Sequence, residues 1–488
     1  MQMKKTVVHF IIFTILSINI ANANNANNAA NDSFNGLTLT IPLVQAAGNL
    51  YSNVVITVDK VLQINGGESF YAYDTYDSTS NQLTIRDVDV GSAHFTNVVI
   101  SVGKVLSVGA SMPDGIATFA LERNCYKVDC VDALDKFKLL STINPSSDPM
   151  ALTSTTNLSS QQKVVISKAE SIFNANPTLA FILIDKDQIV YEKYHPLINA
   201  NTPLMGYSMS KSLTSLTIGN ALCNGQLKNM DTKLADVNNK MADLIYGQST
   251  IKQLLMMSSG GPRGTVSNGG VPANAGFGNL AYNPLTYWYT YNQLQKYNYF
   301  QIKEDGNYAR PGEEFSYKDL DNLALSFLFP VSGPNSFPSI FQEQVWEKYK
   351  TQDKGYWVYD KDGVINTQGS FQATPRDWAR VAIGIKNSLI ANNTNDCLTT
   401  YLKTATTTQI KNTGSTFKNP DEWIGQAFNG YGYQFWTDNT SDTSDTFYMS
   451  GYRGQRIAIN PKKNKIMIVF SYVENYMGLL YSLFGSWN

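Results

Sequence analysis

The strongest constraint on this 488-residue chain is a pair of apolar hairpin patterns set far apart in the sequence. The first runs "LAFILID" (179–185) and then "IVYEKY" (189–194), turning at Asp185-Lys186-Asp187. The second runs "QRIAIN" (455–460) and then "KIMIVFSYV" (465–473), turning over Pro461 to Asn464. Runs rich in Val, Ile, Phe and Tyr, broken by Asp, Asn or Pro, read as strands joined by tight turns. Between the hairpins the patterns are mostly helical and loop-like, opening with a helix predicted over 161–173. An apolar segment follows the second hairpin, up to Trp487. Strands at both ends with helices between them predict an α+β layer in which the two hairpins pair.

Ahead of that segment the chain changes character three times. Residues 1–23 carry Lys4 and Lys5, a short apolar run over 7–16, and Ala21-Asn22-Ala23, a small-x-small site. That pattern predicts a cleaved secretory signal, and with it a periplasmic or secreted protein. The apolar run is too short to cross a bilayer, and no later stretch reaches spanning length. Residues 24–36 form an Asn-rich leader, too polar to build a core. Residues 37–120 hold a tandem repeat at an offset of 44: Leu39-Thr40-Ile41 recurs as Leu83-Thr84-Ile85, and 51–66 recurs as 95–110. Eight of sixteen positions in the longer pair are identical, among them Asn53/Asn97, Lys60/Lys104 and Leu62/Leu106. Alternating Val and Ile predicts a small all-β module, serving either as a binding or spacer element, with cell-surface or cell-wall contact, or as a packing appendage. Residues 121–160, rich in Ser, Thr, Asn and Pro from Ser141 onward, read as a linker. Residues 161–488 are then one large enzyme domain.

Composition narrows the partners. A formal net charge of -1, with no basic run beyond Lys462-Lys463, gives no footprint for nucleic acid or an anionic membrane. Four cysteines in an exported chain suggest disulfides. Pairing within each set, Cys125 with Cys130 and Cys223 with Cys397, is the expectation, with free buried thiols as the alternative. The three histidines, His9, His94 and His195, stand at no metal-ligand spacing from a cysteine, so no metal site is expected.

A Ser-His-Asp triad needs a histidine in the enzyme domain, where only His195 is available, in a loop context before Pro196. A serine nucleophile would then need another base, and a desolvated, neutral lysine can serve. The pattern Ser-x-x-Lys occurs at Ser101, Ser160, Ser208, Ser249 and Ser415. Ser101 falls mid-strand in the repeat, Ser415 in a polar loop, and Ser160 and Ser249 read as helix caps. Ser208, in "GYSMSKSLTSLTIGNALCNG", opens a predicted helix that Asn224-Gly225 would end, and the i, i+3 spacing sets Lys211 on its face.

The stretch "GYSMSKSLTS" resembles the nucleophile helix of the serine β-lactamase and penicillin-binding superfamily, especially its class C-related branch of esterases and nylon-oligomer hydrolases. "TIKQLLMMSSGG" (250–261), "PGEEFSYKDLDNLAL" (311–325), "GSFQATPRDWARVAI", "GYGYQFW" and "SGYRGQRIAINP" resemble its later segments, in family order from 161 to the end. The resemblance implies an antiparallel sheet flanked by helices plus a helical lobe, and no cofactor. It implies Ser208 as nucleophile, Lys211 as base, and Tyr317 as the second-motif tyrosine that relays protons, its phenolate favoured by nearby lysines. The backbone N–H groups of Ser208 and Tyr452 would form the oxyanion hole. Two departures stand out: Asp319 replaces the usual amide of the second motif, and Met449-Ser450-Gly451 stands where a lysine or histidine usually begins the third. The substrate pocket would include these residues and Arg453, which could supply the missing cation only by turning inward. The expected function is hydrolysis of a small ester or amide, with preference for uncharged acyl groups from the aromatic segments "YWYTYNQL" and "GYGYQFW". The alternative is a penicillin-binding-like protein that holds cell-wall material with weak or no turnover.

Overall fold

In the computed structural model the chain forms two compact units, 1–129 and 130–488. The structure describes 33–35, 38–46, 49–64, 74–77, 79–90, 93–107 and 111–113 of the first unit. In the second it describes 140–261, 294 and 310–487, except 177, 196–197, 360–361, 413–426, 443 and 472–473. The signal, most of the leader, Cys125, Cys130, Ser415 and nearly all of "YWYTYNQL" therefore lie outside the described residues.

The described residues of the first unit are almost wholly β, as the repeat predicts. Its strands are β1 (Ser33–Asn35), β2 (Thr38–Ala46), β3 (Asn49–Ile64), β4 (Asp74–Asp77), β5 (Gln82–Val90), β6 (Ala93–Ser107) and β7 (Ser111–Pro113). β2 pairs with β3, β3 with β6, β6 with β5, β5 with β4, and β4 returns in parallel to β2, so five strands close on themselves. Each repeat is one hairpin, β2–β3 or β5–β6. Across the β3–β6 ladder Val58 pairs with Val102, its own counterpart in the other repeat. On either side the pairs exchange symmetrically, Thr57 with Lys104 and Lys60 with Ser101, so the repeat folds as a two-fold. The enclosed core is built twice from the same letters: Leu39/Leu83, Ile41/Ile85, Val54/Val98 and Ile56/Ile100 are all buried.

The second unit is α+β. Its strands are β8 (Leu140–Ile143), β9 (Thr178–Asp185), β10 (Gln188–Tyr194), β11 (Leu204–Met205), β12 (Gly355–Val358), β13 (Gln372–Ala373), β14 (Ile410–Lys411), β15 (Phe428–Tyr431), β16 (Trp436–Asn439), β17 (Phe447–Gly451), β18 (Gln455–Asn460) and β19 (Lys465–Ser471). The main sheet runs β10-β9-β19-β18-β17-β16-β15-β14, antiparallel throughout. The two terminal hairpins do pair, through β9 and β19. Both strands are buried along their whole length, which is why neither reads as polar on alternate positions.

The sheet face bearing Phe181, Leu183, Tyr448, Ala458 and Met467 is covered by the helices Ser160–Ala175 and Met477–Ser486. The helices Met209–Cys223 and Pro375–Ala391 also pack against the sheet, on β17 and on β18–β19 respectively. The described cysteine pair is joined: Cys223, ending one helix, is bonded to Cys397, opening the helix Cys397–Ala405.

Two local expectations shift. Within the stretch read as linker, β8 pairs with β12, and the following residues are tied by Ser146 N–H to the Thr351 carbonyl (2.9 Å) and Met150 N–H to that of Lys350 (2.8 Å). Backbone hydrogen bonds there override a turn-rich composition. The helix caps fall one residue from the Ser-x-x-Lys serines: Ser159 caps Ser160–Ala175, and Thr250 caps Ile251–Leu255, each in a capping box.

Candidate active site

Ser208 is the N-cap of the helix Met209–Cys223, yet its side chain makes no capping bond. The preceding Tyr207 has φ +46°, a left-handed backbone uncommon for a bulky residue, and this bend sets the serine at the helix mouth. Residues Met209 to Ala221 are buried all round, although many are Ser or Thr. Each hydroxyl finds a partner. Ser212 donates to the Gln434 carbonyl (2.6 Å), Thr214 to that of Thr367 (3.2 Å), and Ser210 accepts from the Phe371 N–H (3.0 Å). Burial without partners would cost about 1–3 kcal/mol per group, and the bonds of Thr214 and Ser210 hold the loop 366–371 against the helix.

That loop completes the site. Lys211, wholly buried, places its Nζ 2.9 Å from Ser208 Oγ, 2.7 Å from Asp319 Oδ1 and 2.7 Å from the Gln368 carbonyl oxygen. Its ammonium also lies 5.1 Å from the centre of the Tyr317 ring. Lys211 and Ser208 both favour the ionised form of the Tyr317 hydroxyl, and its ring packs on Trp436 (5.1 Å) and Tyr431 (6.1 Å). Asp319 opens the helix Asp319–Leu325, with 44% of its side chain exposed.

The electrostatics differ from the neutral lysine expected. Burial alone pulls Lys211 down, but the charge of Asp319, with Tyr317 and hydrogen bonds to both, carries it above its ordinary value. Burial pushes the Tyr317 hydroxyl up, against a smaller opposing pull from Lys211. The resting site holds an ammonium and a neutral phenol.

The third-motif strand approaches the segment before Ser208 by its backbone. A Cβ on Gly451 would stand 2.1 Å from the Gly206 carbonyl oxygen, so only glycine lets β17 approach the residues before Ser208 so closely. Tyr452 follows, 57% exposed, edge-on to Tyr207 at 5.8 Å. Among the described residues, no backbone partner outside helices and strands is found for the N–H of Ser208 or of Tyr452.

The remaining candidates separate. Met449 is completely buried, and Ser450 nearly so. Arg453 lies with its guanidinium carbon 5.5 Å from the Tyr452 ring centre. Of the aromatic segments, Tyr431 and Trp436 are buried and buttress Tyr317 from behind rather than line an open cleft. The Gln368 carbonyl and the bend at Tyr207 carry no sequence signal, because each depends on how a distant loop or the preceding backbone closes.

The unit has the β-lactamase/transpeptidase-like fold. A search among curated proteins finds no match. Among solved structures, a candidate 6-aminohexanoate-dimer hydrolase from Bacillus anthracis is similar at 18% identity and TM-score 0.55, over 72% of this chain and 90% of that one. A penicillin-binding protein from Bacillus halodurans matches at 14% identity and TM-score 0.46, over 67% of this chain and 99% of that one. EstCE1, a hydrolase with promiscuous acyltransferase activity, matches at 11% identity and TM-score 0.47, over 67% and 98%. The Beta-lactamase family model matches residues 167–476, which is more than half of the sequence and includes every residue of the site above. This chain belongs to the Beta-lactamase family, in the serine β-lactamase and penicillin-binding superfamily of hydrolases.

Proposed function

We propose that this protein is an exported serine hydrolase that cleaves an ester or amide through an acyl-enzyme on Ser208. The observation that carries the reading is Ser208 Oγ at 2.9 Å from a buried lysine Nζ that also lies 5.1 Å from the Tyr317 ring centre. Acylation begins when Lys211, in its amine form, takes the Ser208 proton as Oγ adds to the substrate carbonyl carbon. The carbonyl electron pair becomes an oxyanion facing the N–H groups of Ser208 and Tyr452. As the bond to the leaving group breaks, the Tyr317 hydroxyl protonates the departing oxygen or nitrogen and recovers its proton from Lys211. A water then adds to the acyl carbon by the reverse route and frees the acid.

Substrate preference follows from Met449 and Asp319. A fully buried thioether begins the third motif, and the half-exposed charge beside the serine is a carboxylate. A substrate carboxylate would lose its hydration there beside the Asp319 carboxylate, with a thioether where the third motif would offer a cation. Neutral aryl esters or uncharged amides are therefore the favoured class over penicillins. The Cys223–Cys397 disulfide supports export, since such bonds persist in oxidising compartments.

The test is covalent labelling by a fluorophosphonate, followed by turnover of a neutral aryl ester. Wild type should label and turn over. Ser208→Ala should lose labelling and at least about a thousandfold in kcat/KM, with its melting temperature nearly unchanged. Labelling that persists in Ser208→Ala would refute the nucleophile. Labelling without turnover would favour a binding protein of the penicillin-recognising kind.

A further inference from the structure

An ammonium has three hydrogens to donate and no lone pair to accept with. Lys211 Nζ has an acceptor for each: Ser208 Oγ at 2.9 Å, Asp319 Oδ1 at 2.7 Å and the Gln368 carbonyl oxygen at 2.7 Å. In this arrangement the serine hydroxyl accepts from the lysine, the reverse of what deprotonation needs. The Gln368 carbonyl, held by the loop 366–371, would suit an amine or an ammonium equally. Asp319 would not, because its charge favours only the ammonium.

We propose that Asp319 is a positioning residue for the base: its carboxylate pins Lys211 in the ammonium form and so sets the pH above which Ser208 can be acylated. The proposal rests on the serine-hydrolase reading above. The groups facing Lys211 are few. Ser208 comes from its own helix, Tyr317 and Asp319 from the segment leading into Asp319–Leu325, and Gln368 presents only its backbone. Arg456 on β18 and Tyr431 on β15 act on Tyr317 electrostatically. Asp319 is thus the one carboxylate bonded to the lysine among the described residues. With an amide at 319 the same hydrogen bond can form without the charge, and burial then acts on the lysine with less to oppose it.

The sign is fixed by the direction found for Lys211, which stands above its ordinary value. Below that value the lysine is charged and cannot take the Ser208 proton; above it the amine is free. Acylation in the wild type should therefore rise with pH through the alkaline range. The proton balance is unchanged by Asp319, which holds charge and moves no proton: Ser208 gives its proton to the amine, and the leaving group receives one through Tyr317.

The experiment compares the pH profile of fluorophosphonate labelling, and of kcat/KM for a neutral aryl ester, in wild type and Asp319→Asn. The acid limb should move to lower pH by roughly 1 to 3 pH units in the variant. A role confined to structure would lower the rate at every pH and leave the limb in place, and that result would overturn the proposal. An upward movement would overturn it too, by showing that Asp319 itself carries the proton. Should the Asn variant fail to fold, Asp319→Ser makes the same comparison. A readout independent of activity is the side-chain NMR titration of Lys211, assigned by its loss in Lys211→Met. The wild-type signal should remain that of an ammonium throughout the neutral range. A neutral amine at pH 7 would sink the proposal even in a protein that labels, whereas absence of labelling with a pinned ammonium would sink only the serine assignment.

Discussion

The two units solve burial in opposite ways. In the β module the enclosed side chains are apolar, Leu, Ile and Val, and each core position in β2 and β3 has a counterpart in β5 and β6. In the second unit the centre is crowded with buried Ser, Thr, Lys, Asp and Arg. The difference shows what a site demands. An apolar core needs only volume and period, so a repeated hairpin suffices. A buried polar centre must pair every group, and its partners come from loops far apart in the chain.

The segment 317–321 carries this contrast in miniature. Asp319 faces the cleft and Lys211. Two residues on, Asp321 is sealed inside, receiving the Ser259 N–H at 3.1 Å and the Ser259 hydroxyl at 2.5 Å, with Lys318 Nζ at 3.3 Å. Burial pushes the Asp321 carboxyl up, while Lys318 and Ser259 pull it down. This pair anchors the 257–261 turn to the helix Asp319–Leu325, away from the reacting atoms. Asp321→Ala should therefore destabilise the second unit by about 3–5 kcal/mol, because it removes the carboxylate that offsets a buried ammonium. Urea unfolding would measure it. Replacing both partners, Lys318→Met with Asp321→Leu, should recover much of the loss. A single variant as stable as wild type would break the contrast, since the polar centre would then not depend on pairing.

The module offers the complementary measurement. Ile41 and Ile85 are repeat counterparts, both buried. If the core is two-fold in energy as well as in register, Ile41→Ala and Ile85→Ala should each cost about 2–5 kcal/mol and agree with one another closely. Hydrogen exchange of the β2 and β5 amides would report both. Unequal costs would show that β4, which pairs with both β2 and β5, breaks the symmetry.

Legibility in the sequence follows the same division. The hairpins at 179–194 and 455–473, their pairing, and the repeat were readable because hydrophobic period and turn residues are local signals. The helix opened by Ser208, with Lys211 brought to 2.9 Å from the Ser208 hydroxyl, was readable from the i, i+3 spacing. What escaped notice was long-range. β8 pairs with residues more than two hundred positions away, and nothing in "LSTI" separates it from a linker. The state of Lys211 turned on Asp319, whose approach to 2.7 Å no spacing in the sequence encodes. The aromatic letters of "GYGYQFW" were visible, but whether Tyr431 and Trp436 face solvent or the back of Tyr317 depends on the splay of β15 and β16.

The smallest effect expected lies at the centre of the module's two-fold. Beside its central Val58–Val102 pair the β3–β6 ladder skips Asp59, between Val58 and Lys60, and Gly103, between Val102 and Lys104, as it skips Leu62 and Leu106 further out. Asp59 and Gly103 are themselves repeat counterparts, so the irregularity there is symmetric while the residue type is not. A Cβ on Gly103 would meet Thr57 Oγ1 at 2.6 Å and the Thr57 carbonyl oxygen at 3.3 Å. The hydroxyl can rotate away, but the carbonyl is fixed in the ladder. An alanine would also recover some of the entropy a strand glycine loses on folding, by about 0.5–1 kcal/mol, which offsets part of the clash. Gly103→Ala should thus cost no more than about 1 kcal/mol, and Asp59→Ala, at an exposed site, should stay within about 0.5 kcal/mol. Chemical denaturation of the module, followed by exchange at Val58 and Val102, would resolve the two. A larger penalty for Asp59→Ala would mean that its carboxylate, 3.4 Å from the Ser101 hydroxyl, holds the bulge, and that the polar bond rather than the glycine fixes the register.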